Sequence, residues 1–167
     1  MTERADGDGL STFIEEMGLL WENAGLPRIA GRIFGLLVGN SEPSSLDEMA
    51  SALAVSKASI STDARRLEQL GLLHRVARPG DRRDYYSLAQ DAPARMLEIR
   101  LGSIRQFETA FDGLRRHADL HPATAERLDR FERAHRRVMA ALTAALDDLR
   151  DDGRGLEHDL TTRTGTF

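Results

Sequence analysis

Apolar positions recur at steps of three and four residues along most of this chain, and the interruptions of that rhythm divide it into elements. From Ser11, residues Phe13, Ile14, Met17, Leu20, Trp21 and Ala24 share one helical face, with Glu15, Glu16 and Glu22 largely outside it. Gly25 ends this helix. Pro27 suits the first turn of a second, over about 27–39, where a missing N–H costs nothing. Its stripe is Ile29, Ala30, Ile33, Phe34 and Leu37, while Gly31 and Gly35 would let another backbone approach closely. Asn40 to Ser44 has the composition of a loop. Ser45-Leu46-Asp47-Glu48 has the form of a capping box, in which the serine hydroxyl and the glutamate carboxylate each satisfy the other residue's amide. The short helix it opens turns Leu46, Met49, Ala50 and Leu53 inward. Ser56 can cap a further helix with the stripe Ile60, Ala64, Leu67 and Leu70, closed by Gly71. Two helices of this size with a three- or four-residue turn between them predict a helix-turn-helix.

The period then changes. Leu72 to Arg78 and Asp84 to Leu88 can both be extended, and Pro79-Gly80-Asp81 is turn chemistry between them. A two-stranded hairpin behind a helix-turn-helix is a wing. Asp91 and Pro93 start a long helix to about His117 with Leu97, Leu101, Ile104, Phe107, Phe111 and Leu114 on one face, and Asp119 to Pro122 break it. In the last helix, about 123–150, Leu128, Phe131, His135, Val138, Leu142, Ala145 and Leu149 alternate steps of three and four, a heptad seam that calls for another helix. No 20–50 residue repeat is present. The expected fold is therefore mainly α with a small β-hairpin wing: a winged helix-turn-helix flanked by long dimerisation helices. Its expected divisions are a disordered tail over 1–10, N-terminal dimerisation or support helices over 11–44, the winged helix over 45–90, dimerisation helices over 91–150 and a disordered tail over 151–167.

Composition narrows the function. The 167 residues are 41% apolar, enough for a buried core, and contain no cysteine, which excludes a disulfide frame, thiolate zinc site, iron–sulfur cluster or cysteine nucleophile. No apolar run is long enough to span a membrane, and the acidic start, Met1 to Asp8, lacks the apolar region of a secretory signal; the expected setting is cytoplasmic. The net charge is −4, yet it is unevenly distributed. Between Ser56 and Arg83, Lys57, Arg65, Arg66, Arg75, Arg78, Arg82 and Arg83 outnumber Asp63, Glu68 and Asp81, so that stretch is +4 and the remainder −8. A basic recognition unit on an acidic chain suits a sequence-specific binder of double-stranded DNA.

If Ile60, Ala64 and Leu67 are buried, the helix over 56–70 turns Ala58, Ser59, Ser61, Thr62 and Arg65 outward. Small hydroxylated residues permit close approach to a major-groove floor, and Arg65 can reach a guanine edge or a phosphate. Lys57 and Arg66 lie nearer the sides, where phosphates would be, and Ser56 at the cap joins the candidate DNA-binding residues. On the wing over 72–88, Arg82 and Arg83 can reach the adjacent minor groove. Isolated surface arginines are ordinarily just solvated, but a capped helix-turn-helix with a basic hairpin at the right place favours DNA.

Four segments carry a family resemblance: Ser45 to Ala50, Val55 to Ser61, Leu67 to Leu73 and Pro79 to Tyr86. They resemble the winged-helix core of MarR-type transcriptional regulators, and the run Gly25 to Gly35 resembles the GbsR-like branch in particular. The resemblance covers roughly residues 11–90 by motif and the later helices by pattern alone. It implies a homodimer joined through terminal helices, each winged helix reading one half-site, and a wing in which Asp81 helps to orient a minor-groove arginine. It also implies an effector pocket, for which Trp21, Phe34, Phe107 and Phe111 are the candidate lining, although plain core is the commoner role for such aromatics. Asp63 departs from expectation, since an acid on the reading helix would oppose phosphate contact unless it faces the core or a flank.

Independently of the resemblance, an unpaired heptad seam would expose an apolar stripe, so Leu128, Phe131, His135, Val138, Leu142 and Leu149 are the expected dimer interface; an intramolecular helix pair is the alternative. His117 and His121 flank a helix break and lack an obvious third metal ligand. Glu132-x-x-His135 occurs once, short of a di-iron set. The Asp6/Asp8 segment fails as a calcium loop, and no phosphate-binding glycine loop or nucleophile motif is present. The sequence is thus read as a non-enzyme without cofactor or metal: a homodimeric regulator, more plausibly a repressor, on a palindromic operator, and responsive to a small molecule if the pocket exists. The rival readings are a winged helix used as a protein–protein module and a small metal-dependent enzyme.

Overall fold

The computed structural model describes residues 3–117 and 119–163, with side chains described over 8–116 and 119–151. The described chain runs α1 (Glu3–Asn23), α2 (Arg28–Gly39), β1 (Ser44–Ser45), α3 (Leu46–Leu53), α4 (Lys57–Gln69), β2 (Leu73–Val76), β3 (Tyr85–Leu88), α5 (Ala92–His117) and α6 (Pro122–Arg163). It divides into two compact units, one ending at Ala92 and the other beginning at Pro93.

In the first unit α1 and α2 pack at very short range because glycines line the contact. A Cβ on Gly31 would lie 2.5 Å from the Met17 carbonyl oxygen and 2.8 Å from Trp21 Cβ, so only a residue without a side chain fits there. Trp21 and Phe34 meet ring to ring across this contact, 5.7 Å between centroids. The other flank of α2 packs on α3, α4 and β3, so this helix backs the whole helix-turn-helix. The core gathers Ala30, Ile33 and Leu37 from α2, Met49 and Leu53 from α3, Ile60, Ala64 and Leu67 from α4, and Leu72, Leu73, Tyr85 and Tyr86 from the hairpin.

The sheet has three strands in the order β1-β3-β2, all antiparallel. Val76 faces Tyr85 and Leu73 faces Leu88 across the wing, while Ser44 and Ser45 pair with Tyr86 and Tyr85 on its other edge. The sequence predicts two strands and a loop at Ser44; a two-residue strand carries no alternation from which to recognise it.

Both tails also differ from expectation. Residues 3–10 are helical rather than frayed, with Leu10 seated over Gly39 at the end of α2 and the Thr12 hydroxyl donating to the Asp8 carbonyl at 2.9 Å. Helix α6 continues through 151–163, where no proline interrupts it and extending an existing helix costs little. The rest of the expected tails, 1–2 and 164–167, lies outside the described residues.

The second unit is an antiparallel pair. Glu98, early in α5, bonds Arg150, late in α6, and Arg115, late in α5, bonds Asp129 and Glu132, early in α6. In the same unit Ala94, Leu101, Met139 and Leu146 form a small core joined by Leu97, Ile104 and Leu142. This corrects the single-seam reading. Leu128 is buried and Leu142 belongs to the intramolecular core, whereas Met139 and Leu146, absent from the heptad, complete it. His135 also turns to α5, against Phe107 and Phe111. Phe131, Val138 and Leu149 stay 67%, 51% and 36% exposed. The apolar arc of α6 is wider than one seam, and a straight helix of 3.6 residues per turn drifts off a strict seven-residue repeat.

Candidate nucleic-acid interface

Both helices of the motif are capped at their starts. Ser45 and Glu48 form the expected box, the Ser45 amide donating to Glu48 Oε2 at 2.7 Å and the Glu48 amide to Ser45 Oγ at 3.3 Å. That backbone donor holds the Glu48 carboxyl below its ordinary value. Ala54 ends α3 in the left-handed region, φ 51°. Ser56 then caps α4, its hydroxyl accepting from the Ser59 amide at 3.2 Å.

On α4, Ile60, Ala64 and Leu67 are buried, while Ser56, Lys57, Ala58, Thr62, Arg65 and Arg66 are exposed and Ser59 and Ser61 are half-buried. The outward face is already ordered. Arg65 Nη2 donates to Ser61 Oγ at 2.8 Å, so these two side chains present one polar unit a helical turn long. The Thr62 hydroxyl donates to the Ala58 carbonyl at 3.0 Å, which leaves its lone pairs to accept. Lys57 reaches back to Asp47 on α3, 2.8 Å away, and Arg66 lies 3.9 Å from Asp63. Asp63 itself faces inward and is buried; burial pushes its carboxyl up, against the opposing pull of Arg66. The acid on the reading helix is therefore turned away from the surface that carries Ser61 and Arg65.

The wing is organised around Asp81. Gly80, φ +82°, follows Pro79 in a tight turn that the Asp81 amide closes onto the Arg78 carbonyl at 3.1 Å. The Asp81 carboxylate then accepts from the Arg83 amide (2.9 Å), Arg83 Nε (2.9 Å), Arg83 Nη2 (2.6 Å) and the Tyr85 hydroxyl (2.9 Å). With these donors its carboxyl is held well below the usual carboxylate range, and the Arg83 guanidinium is held firmly protonated in return. The Arg83 side chain remains half exposed, so the edge turned away from Asp81 is open to a ligand. Arg82 is exposed and makes no ion pair among the described residues.

Two residues to which the sequence assigns no site role, Tyr85 and Arg78, hold this arrangement. The Tyr85 ring, 1% exposed, has the Arg78 guanidinium 4.1 Å and that of Arg83 5.2 Å from its centroid. Arg78 Nη2 also donates to the Pro43 carbonyl at 3.1 Å, which anchors the wing to the segment leading into β1. A signal was present: Asp81, Arg83 and Tyr85 are spaced by two, which places them on one side of an extended segment. Arg75 reaches Glu68 at 3.0 Å and Asp84 at 3.6 Å, so much of the positive charge counted in the sequence is internally paired.

The four proposed pocket aromatics are divided between the two units. Trp21 and Phe34 are buried in the core of the first unit, each 7% exposed. Phe107 and Phe111 belong to the second, with His135 6.2 and 5.9 Å from their centroids. There a shallow groove of about 250 Å³ is lined by Glu108, Phe111, Asp112, Glu132, His135 and Arg136. Periodicity alone does not distinguish a pocket aromatic from a core one. Among the described residues no cluster of three or more His, Asp or Glu could hold a metal ion. His121 instead accepts from the Ala123 amide at 3.3 Å beside the start of α6, and the side chain of His117 lies outside the described residues. No helix of the described residues is long and apolar enough to cross a membrane.

The MarR family's sequence model matches residues 24–84, the segment that holds α2, the helix-turn-helix and most of the wing. The chain is 38% identical over 145 residues to the HTH-type transcriptional regulator MmpR5 of Mycobacterium tuberculosis (strain ATCC 25618 / H37Rv), covering 86% of this chain and 83% of that protein. It is 30% identical over 78 residues to the HTH-type transcriptional repressor OpcR of Bacillus subtilis (strain 168), covering 47% of this chain and 42% of the relative. A crystal structure of a transcriptional regulator superposes with a TM-score of 0.65 at 34% identity, covering 86% of this chain and 99% of that one.

Proposed function

The chain belongs to the MarR family of winged-helix transcriptional regulators, and from this premise we propose that it is a cytoplasmic, homodimeric repressor that reads a palindromic operator in double-stranded DNA. Helix α4 lies in the major groove with Ala58, Ser59, Ser61, Thr62 and Arg65 toward base edges, while Ser56, Lys57 and Arg66 face the flanking backbone. The wing presents Arg82 and Arg83 to the adjacent minor groove. The observation that carries this reading is the Asp81 lock: an exposed wing arginine is held in one direction by three hydrogen bonds to a carboxylate that a fourth, from the Tyr85 hydroxyl, fixes in turn, an ordering with no evident use unless something is read there. Lys57 would exchange Asp47 for a phosphate on binding.

Exposed Phe107 and Leu114 on α5, with Phe131, Val138 and Leu149 on α6, support the homodimer, because a stable chain seldom leaves so many large apolar side chains in water. Recognition helices related by a two-fold axis then address half-sites about 34 Å apart, roughly 10 base pairs. Repression needs only occupancy of a promoter and accords with the name of the OpcR relative. Gly31 and Gly35, in the run that resembles the GbsR-like branch, lie against α1. A small-molecule response would run through the groove beside Phe111 and His135.

The test is selection of duplexes from a random-sequence pool by the purified protein, followed by anisotropy on the selected duplex. A palindromic consensus is expected, and Ser61→Ala or Arg65→Ala should each cost about 1–3 kcal/mol, concentrated at particular base pairs. A protein–protein module would enrich no sequence.

A further inference from the structure

Arg32, on α2, carries a side chain only 19% exposed, and it reaches two elements at once. Its Nη2 donates to the Leu53 carbonyl at 2.9 Å, and its Nε lies 2.8 Å from Glu15 Oε1 on α1. Glu15 is itself steadied by Arg28, whose Nη2 donates to Oε2 at 3.0 Å, and these guanidinium partners hold the Glu15 carboxyl below its ordinary value. Gly18 on α1 makes the room, since a Cβ there would lie 2.7 Å from Arg32 Cγ.

The carbonyl that Arg32 grips is at a particular place. Leu53 is the last residue of α3, and the final carbonyls of a helix have no partner within it. The next residue, Ala54, is left-handed, two more residues complete the turn, and α4 begins at Lys57. Arg32 thus holds the backbone at the point where the first helix of the motif gives way to the reading helix. A guanidinium suits this, because its planar fork can serve acceptors lying in different directions, which a single ammonium cannot. The fold does not hang on this bond, since α2 also packs on α3, α4 and β3.

We propose that Arg32 is a positioning residue for DNA recognition: through the Leu53 carbonyl it fixes the aim of α4 relative to α1, and Glu15 orients it for that role. It touches no DNA. The inference rests on the DNA-binding reading of α4, and the experiment separates the two. Wild-type protein first selects a duplex from a random pool, and anisotropy then compares that duplex with a scrambled one of equal length for wild type, Arg32→Met and Glu15→Gln. Arg32→Met keeps most of the stem and removes the fork. It should lower the ratio of selected to scrambled affinity by about tenfold, the scale of one lost charged hydrogen bond, while scrambled-duplex binding stays within about twofold of wild type. Glu15→Gln, at a more exposed position, should lower the ratio by about threefold. An unchanged ratio in Arg32→Met, or equal weakening on both duplexes, would overturn the proposal. Should Arg32→Met fail to fold, an unchanged ratio in Glu15→Gln would overturn it. If wild type selects no sequence, the DNA reading fails first and this proposal goes with it.

Discussion

Asp81 occupies an exposed turn, where a carboxylate ordinarily contributes little, yet it collects both backbone and side-chain donors from Arg83 and the hydroxyl of Tyr85. Arg83→Ala and Asp81→Ala should therefore weaken operator binding by similar factors, about 1–2 kcal/mol each, and the double variant by less than their sum, because one member positions the other. Anisotropy on the selected duplex measures this. Because folding depresses the Asp81 pKa, the lock is complete above the ordinary carboxylate range and should persist as pH falls through it, yielding only at more acid pH. Asp63 has the opposite sign. Burial raises its pKa, so its charged form costs stability at neutral pH, and that cost disappears as pH falls through the raised value. Asp63→Asn should raise the melting temperature by about 2 °C at pH 7, with the difference from wild type narrowing toward pH 4. At this scale the sequence showed which residues were polar and outward but not how they were paired. The inward turn of Asp63 and the guanidinium-flanked Tyr85 ring depend on partners that only the folded chain brings near.

At the scale of elements the local signals were strong where local chemistry decides. The Ser45–Glu48 box, the Ser56 cap and the Pro79-Gly80 turn all act within a few residues, and each stands where the residue types place it. Legibility failed where a partner decides. Ser44–Ser45 becomes a strand only because Tyr85 and Tyr86 lie beside it, and α6 divides its apolar arc between α5 and the surface because α5 is there to cover half of it. The α1–α2 contact offers a direct check. Gly31→Ala would place a Cβ against the Met17 carbonyl and should cost about 2 kcal/mol in urea unfolding, by overpacking. Gly102→Ala, with nothing within 4 Å, should instead stabilise α5 by roughly 0.5–1 kcal/mol through helix propensity.

For the whole molecule, the proposed dimer rests on the apolar residues that the two-helix unit leaves exposed, chiefly Phe107, Phe131 and Val138. Phe131→Glu should convert a dimer into a monomer in sedimentation velocity while leaving helix content intact, whereas Leu142→Glu, inside the α5–α6 core, should destabilise the protomer itself. Dimerisation in turn should set operator affinity, because two half-sites on one duplex are engaged by linked reading heads. The charge pattern bears on the same question: with Lys57, Arg66, Arg75, Arg78 and Arg83 already paired, binding cannot be a matter of bulk positive charge. The decisive measurement is a salt titration of the wild-type protein against the selected duplex and a scrambled one. The expected result is a selected duplex bound at least about a thousandfold more tightly at physiological salt, with both affinities falling as salt rises. Equal affinity for the two duplexes across the titration would contradict a molecule built to read sequence.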